Sequence, residues 1–216
     1  MTGSVEPPSD ATTGTWRDHF PDGDLWVFGY GSLIWKPPPH IGEQASLESP
    51  SSSAVWGAAY HIPASHAEEV HAYLDDREID GYTVHYTAFH PVSSPDSNSN
   101  SEQLKPHICM VYIGLPSNSQ FLNNPSLREP SSVAQVISTS RGKSGENTEY
   151  LYLLEEALEG LGLGSADGHV TELVKRVKNI EAGRAEEAAR LAAGEIDAKG
   201  VLINKGTDTP EEFEKD

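Results

Sequence analysis

The sequence predicts an α+β fold for this 216-residue chain. Short stretches rich in β-forming residues and longer stretches with helical spacing of apolar residues both occur, and turn-forming segments separate them. The predicted strands span residues 25–30, 54–61, 82–89 and 107–113. The predicted helices are one that Pro63 opens and three that span residues 131–140, 150–161 and 169–180.

The four strands differ in their predicted burial. Residues 25–30 (LWVFGY) stop at glycines, which indicates a buried strand that runs into a tight loop. Residues 54–61 (AVWGAAYH) predict a second strand. Apolar and polar residues alternate in 82–89 (YTVHYTAF), as in a half-buried strand. Residues 107–113 (HICMVYI) are almost continuously apolar, which favours a central position in the sheet.

The predicted helices are amphipathic. After Pro63, Ser65 and Glu68 have the spacing of a capping box. The following residues share one face of this first helix: Ala64, Ala67, Val70, His71 and Leu74. The helices at 150–161 and 169–180 each carry a comparable apolar face, so both should pack against the rest of the domain.

Composition predicts one domain with flexible ends. Residues 1–22 are predicted to be a flexible lead to a domain of residues 23–180, and residues 181–216 an Ala/Glu-rich acidic tail. Within the domain, Pro and Ser are too dense in 37–53 for a regular element, so an irregular connection is expected there. Residues 92–105 are predicted to be a polar loop.

Charge and cysteine content exclude several classes of partner. Fifteen Lys and Arg stand against 33 Asp and Glu, and the net charge of -18 repels nucleic acids and anionic lipid surfaces. The single cysteine, Cys109, permits no internal disulfide and fits a reducing compartment. The first 15 residues lack the pattern of a signal peptide, and the longest near-apolar run, 108–115, is too short to span a bilayer. We expect a soluble, cytoplasmic monomer.

The segment GYGSLIW, residues 29–35, is the most distinctive motif. Gly29 and Gly31 bracket Tyr30, so the backbone can turn sharply and present consecutive N–H groups to an anion. Ile34 replaces the third glycine of a dinucleotide fingerprint, and Ser32 lacks the flanking glycines of a nucleophile elbow. Residue types alone leave two possibilities open, a structural turn and a ligand cradle.

The nine histidines show no metal-binding spacing. There is no HExxH motif, and the spacing of His66 and His71 places them on different faces of a helix. Likewise, His85 and His90 fall on opposite sides of a strand. The sequence therefore predicts scattered surface histidines and no metal site.

Two further candidates for chemistry are ambiguous on residue type. Cys109 lies within an apolar strand, where a small buried hydrophobic residue is the ordinary interpretation. Four acids crowd the turn after the first helix: Asp75, Asp76, Glu78 and Asp80. Such runs are usually solvated, but one carboxylate could point inward as a base, and composition does not say which.

Several sequence blocks together resemble the ChaC family of glutathione-specific γ-glutamylcyclotransferases. They are WVFGYGSLIWKP (26–37), AYLDDREIDGY (72–82), VYIGLPSNSQFL (111–122) and SRGKSGENTEYL (140–151), and they occur in the family's order. The resemblance covers roughly residues 24–180, apart from a gap after the YGSL loop.

The resemblance implies a small mixed β-barrel with helices packed on it, and it implies roles for individual residues. Glu78 of the REIDGY block matches the catalytic carboxylate, and Glu69 matches a second, weaker acidic candidate. Tyr150 matches a tyrosine that lines the pocket. The matching loop, which would bind the γ-glutamyl group, consists of Gly29, Tyr30, Gly31, Ser32, Leu33 and Ile34.

The chemistry that the resemblance implies is an intramolecular cyclisation. The α-amino group of glutathione attacks its own γ-amide carbonyl, which gives 5-oxoproline and releases cysteinylglycine. Glu78 would serve as base and then as acid. The backbone amides at 31–33 would hold either the substrate α-carboxylate or the developing oxyanion, and both possibilities stay open. No metal or organic cofactor is required.

The chain departs from the family between the glycine loop and the AVWGAAY strand. Family members carry additional strands there, with a basic, aromatic-rich stretch, whereas this chain has only residues 37–53. A barrel that loses strands should be open, so we expect an incomplete sheet and weak or absent activity. The function alternatives are an active lyase on glutathione, a catalytically impaired variant with at most a binding role, and a cyclotransferase for other γ-glutamyl peptides or amines.

Overall fold

A computed structural model of the chain describes residues 15–41, 43–46, 55–78, 81–92, 106–162 and 164–193. The strands are β1 (Leu25–Gly29), β2 (Glu43–Ser46), β3 (Ala58–Ile62), β4 (Thr83–Phe89), β5 (His107–Ile113), β6 (Arg141–Gly142) and β7 (Gly145–Glu146). The α-helices are α1 (Ala64–Arg77), α2 (Pro130–Ile137), α3 (Asn147–Leu161) and α4 (Gly168–Ala192). Short 3₁₀ helices span Trp16–His19, Ser32–Ile34 and Pro125–Arg128.

The main sheet has five strands in the order β2-β3-β1-β5-β4. Strand β1 pairs antiparallel with β3 and parallel with β5, and β4 pairs antiparallel with β5. The predicted central position of 107–113 is confirmed for β5, which has neighbours on both sides. A separate small hairpin, β6–β7, leads directly into α3.

Three apolar clusters hold the elements together. The largest includes residues of β1, β3, α1 and β5, and in it Val70 and Leu74 of α1 are fully buried. A second cluster, which includes Phe28 and Cys109, lies among β1, β3, β4 and β5. The third joins α2, α3 and α4 through Ala134, Leu151, Leu173, Val174 and Val177. Burial of each large aliphatic side chain in these clusters stabilises the fold by about 1.5–3 kcal/mol.

Helix α1 begins where the sequence predicts, but its cap is different. Pro63 is the N-cap residue and makes no side-chain capping hydrogen bond, so the predicted capping box of Ser65 and Glu68 is wrong. Asp24, which directly precedes β1, caps the helix instead, because its Oδ1 accepts a hydrogen bond from the Ala64 N–H at 2.8 Å. The hydrogen bonds from His61 and from Ala64 lower the pKa of Asp24. A cap supplied from 40 residues away along the chain leaves no local sequence signal.

The α+β class is confirmed, but the described residues do not form a closed barrel. Strands β2 and β4 lie at opposite edges of the sheet, as expected for a barrel that lacks strands. The sequence predicts an irregular connection over 37–53, and this prediction is wrong for Glu43–Ser46. These residues form β2, which pairs with β3 from Glu43↔His61 to Ser46↔Ala58. The strand forms because this stretch contains no proline and β3 offers it a free edge. Residues 47–53 lie outside the described part.

Both ends of the domain extend beyond the predicted limits. In the predicted lead, Trp16 and Phe20 belong to the main core, and Trp16 stacks on His71 with a ring-centroid distance of 5.5 Å. Helix α4 continues to Ala192, and its residues from Glu181 onward are exposed. Residues 93–105 of the predicted loop and the end of the tail lie outside the described part. Among the helices that are described, none has the length and apolar character needed to cross a membrane.

Candidate active site

A cavity of about 1030 Å³ opens where the end of α1, the Ser32–Ile34 helix, the β6–β7 hairpin and the first turn of α3 meet. Its lining includes Ser32, Trp35, Glu78, Tyr82, Lys143 and Tyr150. Residues from three of the four blocks that carry the family resemblance therefore meet at one cavity, although they are far apart in the sequence.

Glu78 ends α1 and faces this cavity. Its backbone N–H donates to the carbonyl of the fully buried Leu74 at 2.9 Å, and this bond fixes the position of the Glu78 backbone. The side chain is 19% exposed. Burial raises the pKa of Glu78, and the neighbouring Arg77 guanidinium partly offsets that rise. A carboxylate with a raised pKa binds a proton more readily at neutral pH than an ordinary glutamate does.

Arg77 connects Glu78 to the glycine loop. Its Nε lies 3.3 Å from Glu78 Oε1, while its Nη2 donates to Ser32 Oγ at 2.8 Å and its Nη1 to the Lys36 carbonyl at 3.0 Å. The fork of the guanidinium thus sets the distance between the acid and the loop. Sequence reasoning missed this role, although Arg77 stands beside Glu78 in the resembling block.

The glycine loop is closely packed. A side chain at Gly29 would overlap Leu33, and a Cβ at Gly31 would lie 2.9 Å from the Tyr150 hydroxyl. Behind the loop, the hydroxyl of the fully buried Tyr60 donates to the Leu33 carbonyl at 2.7 Å. Position 29 therefore has no space for a side chain, whereas a Cβ at position 31 would require the Tyr150 hydroxyl to shift.

Tyr150 closes the cavity from α3. It is hydrogen-bonded to Ser32, and its ring meets Trp35 edge-on at a centroid distance of 5.1 Å. Burial raises the pKa of Tyr150, and the hydrogen bonds from Ser32 oppose the rise. The Ser32 backbone, predicted to meet a substrate anion, therefore contacts a phenol oxygen here.

The other predicted site residues contribute differently. Of the predicted loop, Ser32 lines the cavity, whereas Leu33 is buried beneath it. Tyr30 donates its hydroxyl to the Tyr112 carbonyl at 2.9 Å, and burial raises its pKa, with a further contribution from nearby Glu78. Gly29 is the last residue of β1, and Ile34 is the last residue of the 3₁₀ helix that follows the loop.

Glu69 lies elsewhere. It precedes Glu78 by nine residues on α1, which places it roughly on the opposite side of the helix. Its carboxylate is 66% exposed and lies near His40 and His66. The structure thus does not bring this weaker candidate to the cavity.

The acidic run after α1 resolves into separate environments. Asp75 accepts a hydrogen bond from the Tyr112 hydroxyl at 2.8 Å and pairs with His71 at 3.1 Å. Asp76 lines the cavity, and Asp80 lies outside the described residues.

Comparison with known proteins agrees with this geometry. The model of the family described as ChaC-like protein matches residues 25–46 and 40–180, in two segments that meet within the shortened connection. A glutathione-specific γ-glutamylcyclotransferase from Schizosaccharomyces pombe is 34% identical, with 73% of this chain and 94% of the relative covered. The rat glutathione-specific γ-glutamylcyclotransferase 1 is 28% identical, with 82% and 90% covered.

Solved structures give the same result. The crystal structure of a γ-glutamyl cyclotransferase specific to glutathione from yeast has a TM-score of 0.61 and 26% identity, and the match covers 73% of this chain and 96% of that one. The predicted resemblance is confirmed, and this chain belongs to the ChaC-like family.

Proposed function

We propose that this chain degrades glutathione by cyclising its γ-glutamyl group, which yields 5-oxoproline and cysteinylglycine. The observation that carries the proposal is the half-buried Glu78 carboxylate, held by Arg77 beside the glycine loop at the wall of a cavity. The names of the fungal and rat relatives support glutathione as the substrate.

The first step is removal of a proton from the substrate amine. The α-amino group has a pKa of about 8 in model peptides, so at neutral pH most of it is an ammonium that cannot attack. Glu78 accepts that proton, and its raised pKa makes it a better acceptor than an exposed glutamate.

The second step joins and breaks bonds within the substrate. The free amine nitrogen bonds to the γ-carbonyl carbon and closes a five-membered lactam, and the bond from that carbon to the cysteine nitrogen breaks. Glu78 passes its proton to the departing cysteine nitrogen, and it then takes the second proton from the new lactam nitrogen and passes it to the same amine. Both protons that the substrate ammonium loses therefore end on cysteinylglycine, and the reaction balances without water. Because nucleophile and electrophile belong to one molecule, correct substrate conformation supplies much of the acceleration.

The cavity lining carries charges of both signs. Its cations are Lys36, Arg77 and Lys143, and its acids are Asp76, Glu78, Glu146 and Glu149. The cations are the groups that can pair with the carboxylates of an anionic tripeptide. Lys143 occupies the turn of the β6–β7 hairpin and lines the same cavity as Arg77, and we expect it to pair with a terminal carboxylate of the substrate. Hydrogen-bond donors of residues 31–33 would stabilise the oxyanion or the α-carboxylate.

The alternative of an impaired variant is less well supported. Although the sheet is open, Glu78, Arg77, Ser32 and Tyr150 remain connected by hydrogen bonds and ion-pair contacts across three segments of the chain. The shortened connection lies on the β2 side of the sheet, at the edge opposite β4.

The direct test is incubation of the purified chain with glutathione. We expect 5-oxoproline and cysteinylglycine in equal amounts, measured by mass spectrometry. Parallel reactions with γ-glutamylcysteine and with γ-glutamylalanine separate a glutathione enzyme from a general γ-glutamyl cyclotransferase, because both analogues lack the terminal glycine. Absence of 5-oxoproline from every substrate would refute the proposal.

A further inference from the structure

Two histidines and one glutamate meet on α1 outside the cavity. His66 and Glu69 stand one turn apart on the first half of the helix, and His40 reaches them from the loop that follows the Ser32–Ile34 helix. The sequence predicts scattered histidines, and it missed this cluster because His40 lies 26 residues before His66 along the chain. None of the three residues belongs to the described cavity lining.

The separations of the donor atoms match those of a metal site. His40 Nε2 lies 3.5 Å from Glu69 Oε1, and His66 Nδ1 lies 3.7 Å from Glu69 Oε2. One donor atom from each of the three residues lies within 4.8 Å of the others. Tetrahedral zinc with bonds of about 2.1 Å holds its ligand atoms about 3.4 Å apart. Rotation of the side chains, including one imidazole ring, would therefore bring the three donors to bonding distance.

Direct hydrogen bonding accounts poorly for this arrangement. The two histidine–glutamate distances exceed the range of about 2.7–3.2 Å that N–H···O hydrogen bonds occupy. The imidazole rings stack at a centroid distance of 4.1 Å with an interplanar angle of 9°. A stacked pair of histidines facing one carboxylate brings two neutral nitrogen donors and one anionic oxygen donor into a small volume.

We propose that His40, His66 and Glu69 form a binding site for Zn²⁺, with water as the fourth ligand. Imidazole nitrogens and a carboxylate oxygen are ligands that zinc accepts, and three protein ligands leave one position open. The net charge of -18 attracts cations to the surface. One ring must turn about χ2, because the metal lies in the plane of each imidazole, and both side chains are 41% exposed and have room to turn.

The site joins two segments that also form the cavity. His40 follows the glycine loop, and His66 and Glu69 belong to the helix that ends at Glu78. Bound zinc would therefore tether the loop to the helix at a second point, beyond the contacts of Arg77. Because the unfolded chain does not hold the three ligands together, zinc should also raise the melting temperature.

The test is titration of the tag-free chain with Zn²⁺ alone, followed by isothermal calorimetry. We expect one zinc per chain with a dissociation constant in the micromolar range. Each of His40→Ala, His66→Ala and Glu69→Gln should weaken binding by at least about tenfold, since even indirect loss of ligand support costs 10–100-fold. His90→Ala is the matched control, because His90 is exposed and outside the cluster.

Cobalt gives a second readout. Co²⁺ in place of zinc should show the strong visible absorption of a four-coordinate site in the native chain and in His90→Ala, and lose it in His66→Ala. Circular dichroism without metal checks that every variant is folded. Equal affinity of all variants, or the lack of a saturable one-to-one step in the native chain, would overturn the proposal.

Discussion

The two walls of the cavity differ in how firmly the rest of the chain holds them. The sheet-side wall consists of Ser32, Arg77 and Glu78. The loop that carries Ser32 is hydrogen-bonded to the fully buried Tyr60, and the Glu78 backbone is hydrogen-bonded to the fully buried Leu74. The helix-side wall consists of Lys143 and Tyr150. Lys143 lies in a hairpin whose strands are two residues long, and Tyr150 is 46% exposed. Across that hairpin, the Arg141–Glu146 ion pair is largely exposed and contributes little.

This difference assigns separate tasks to the walls. A proton acceptor must keep its position within a fraction of an ångström, which requires support from a packed core. A wall that admits and releases substrate benefits from weaker support, because local opening is then inexpensive. Substitutions on the sheet-side wall should therefore impair the chemical step, and those on the helix-side wall should impair binding.

The largest effect is expected from Glu78→Gln. This change keeps the size of the side chain and removes the proton acceptor, so kcat should fall by about 10²–10⁴. Its burial raises the pKa of Glu78, and the ionised form is therefore less favourable in the folded state than in the unfolded state. Above that pKa the variant should melt at the same or a higher temperature. Glu156→Gln, an exposed change on α3, is the control for both measurements.

Near-normal turnover by Glu78→Gln would assign the role to a different acid, and Asp76, which also lines the cavity, would be tested next. A lower melting temperature in that variant would instead show that the ionised carboxylate stabilises the fold. Kinetics and calorimetry on the same preparations distinguish these outcomes.

Gly31→Ala tests where the two walls touch. The new methyl group would lie 2.9 Å from the Tyr150 hydroxyl, so one wall must move, and kcat/KM should fall by about 10²-fold. Gly31→Ala combined with Tyr150→Phe should recover part of the activity, and a double variant no better than the single one would contradict this explanation. The bulkier Gly31→Val should abolish binding.

Arg77→Met should change the pH dependence of the activity. The guanidinium holds the pKa of Glu78 below the value that burial alone would give, so its removal raises that pKa further. Glu78 must be deprotonated to accept a proton, and activity falls as the pH drops through its pKa. The acidic limb of the kcat/KM profile should therefore move upward by about one pH unit. Arg77→Lys keeps the charge and should move it less, so equal shifts in both variants would contradict the electrostatic explanation.

The smallest effect is expected from Tyr150→Phe. It removes one hydroxyl that bonds to Ser32, an interaction worth about 0.5–1.5 kcal/mol, so KM should rise about two- to tenfold while kcat changes little. Steady-state kinetics separates the two constants. A fall in kcat as large as that of Glu78→Gln would place Tyr150 in the chemical step and remove the distinction between the walls.

Local sequence patterns predicted most elements, and the resemblance predicted that Glu78 and Tyr150 share a site. What escaped prediction depends on contacts between distant segments. Asp24 caps α1, Arg77 reaches Ser32, and His40 joins Glu69, and each contact links parts of the chain that local periodicity treats separately. Strand β2 escaped for a related reason, because the edge of β3, and not the composition of 43–46, produces the pairing.

Cys109 has a consequence for how the molecule behaves in a thiol-rich medium. It is the single cysteine of the chain, it is fully buried, and burial raises its pKa to about 12. At neutral pH about one such thiol in 10⁵ is ionised, and only the thiolate attacks a disulfide. Glutathione disulfide therefore has no accessible sulfur to capture. Oxidation of the glutathione pool would change how much substrate the chain meets and leave the chain itself unmodified.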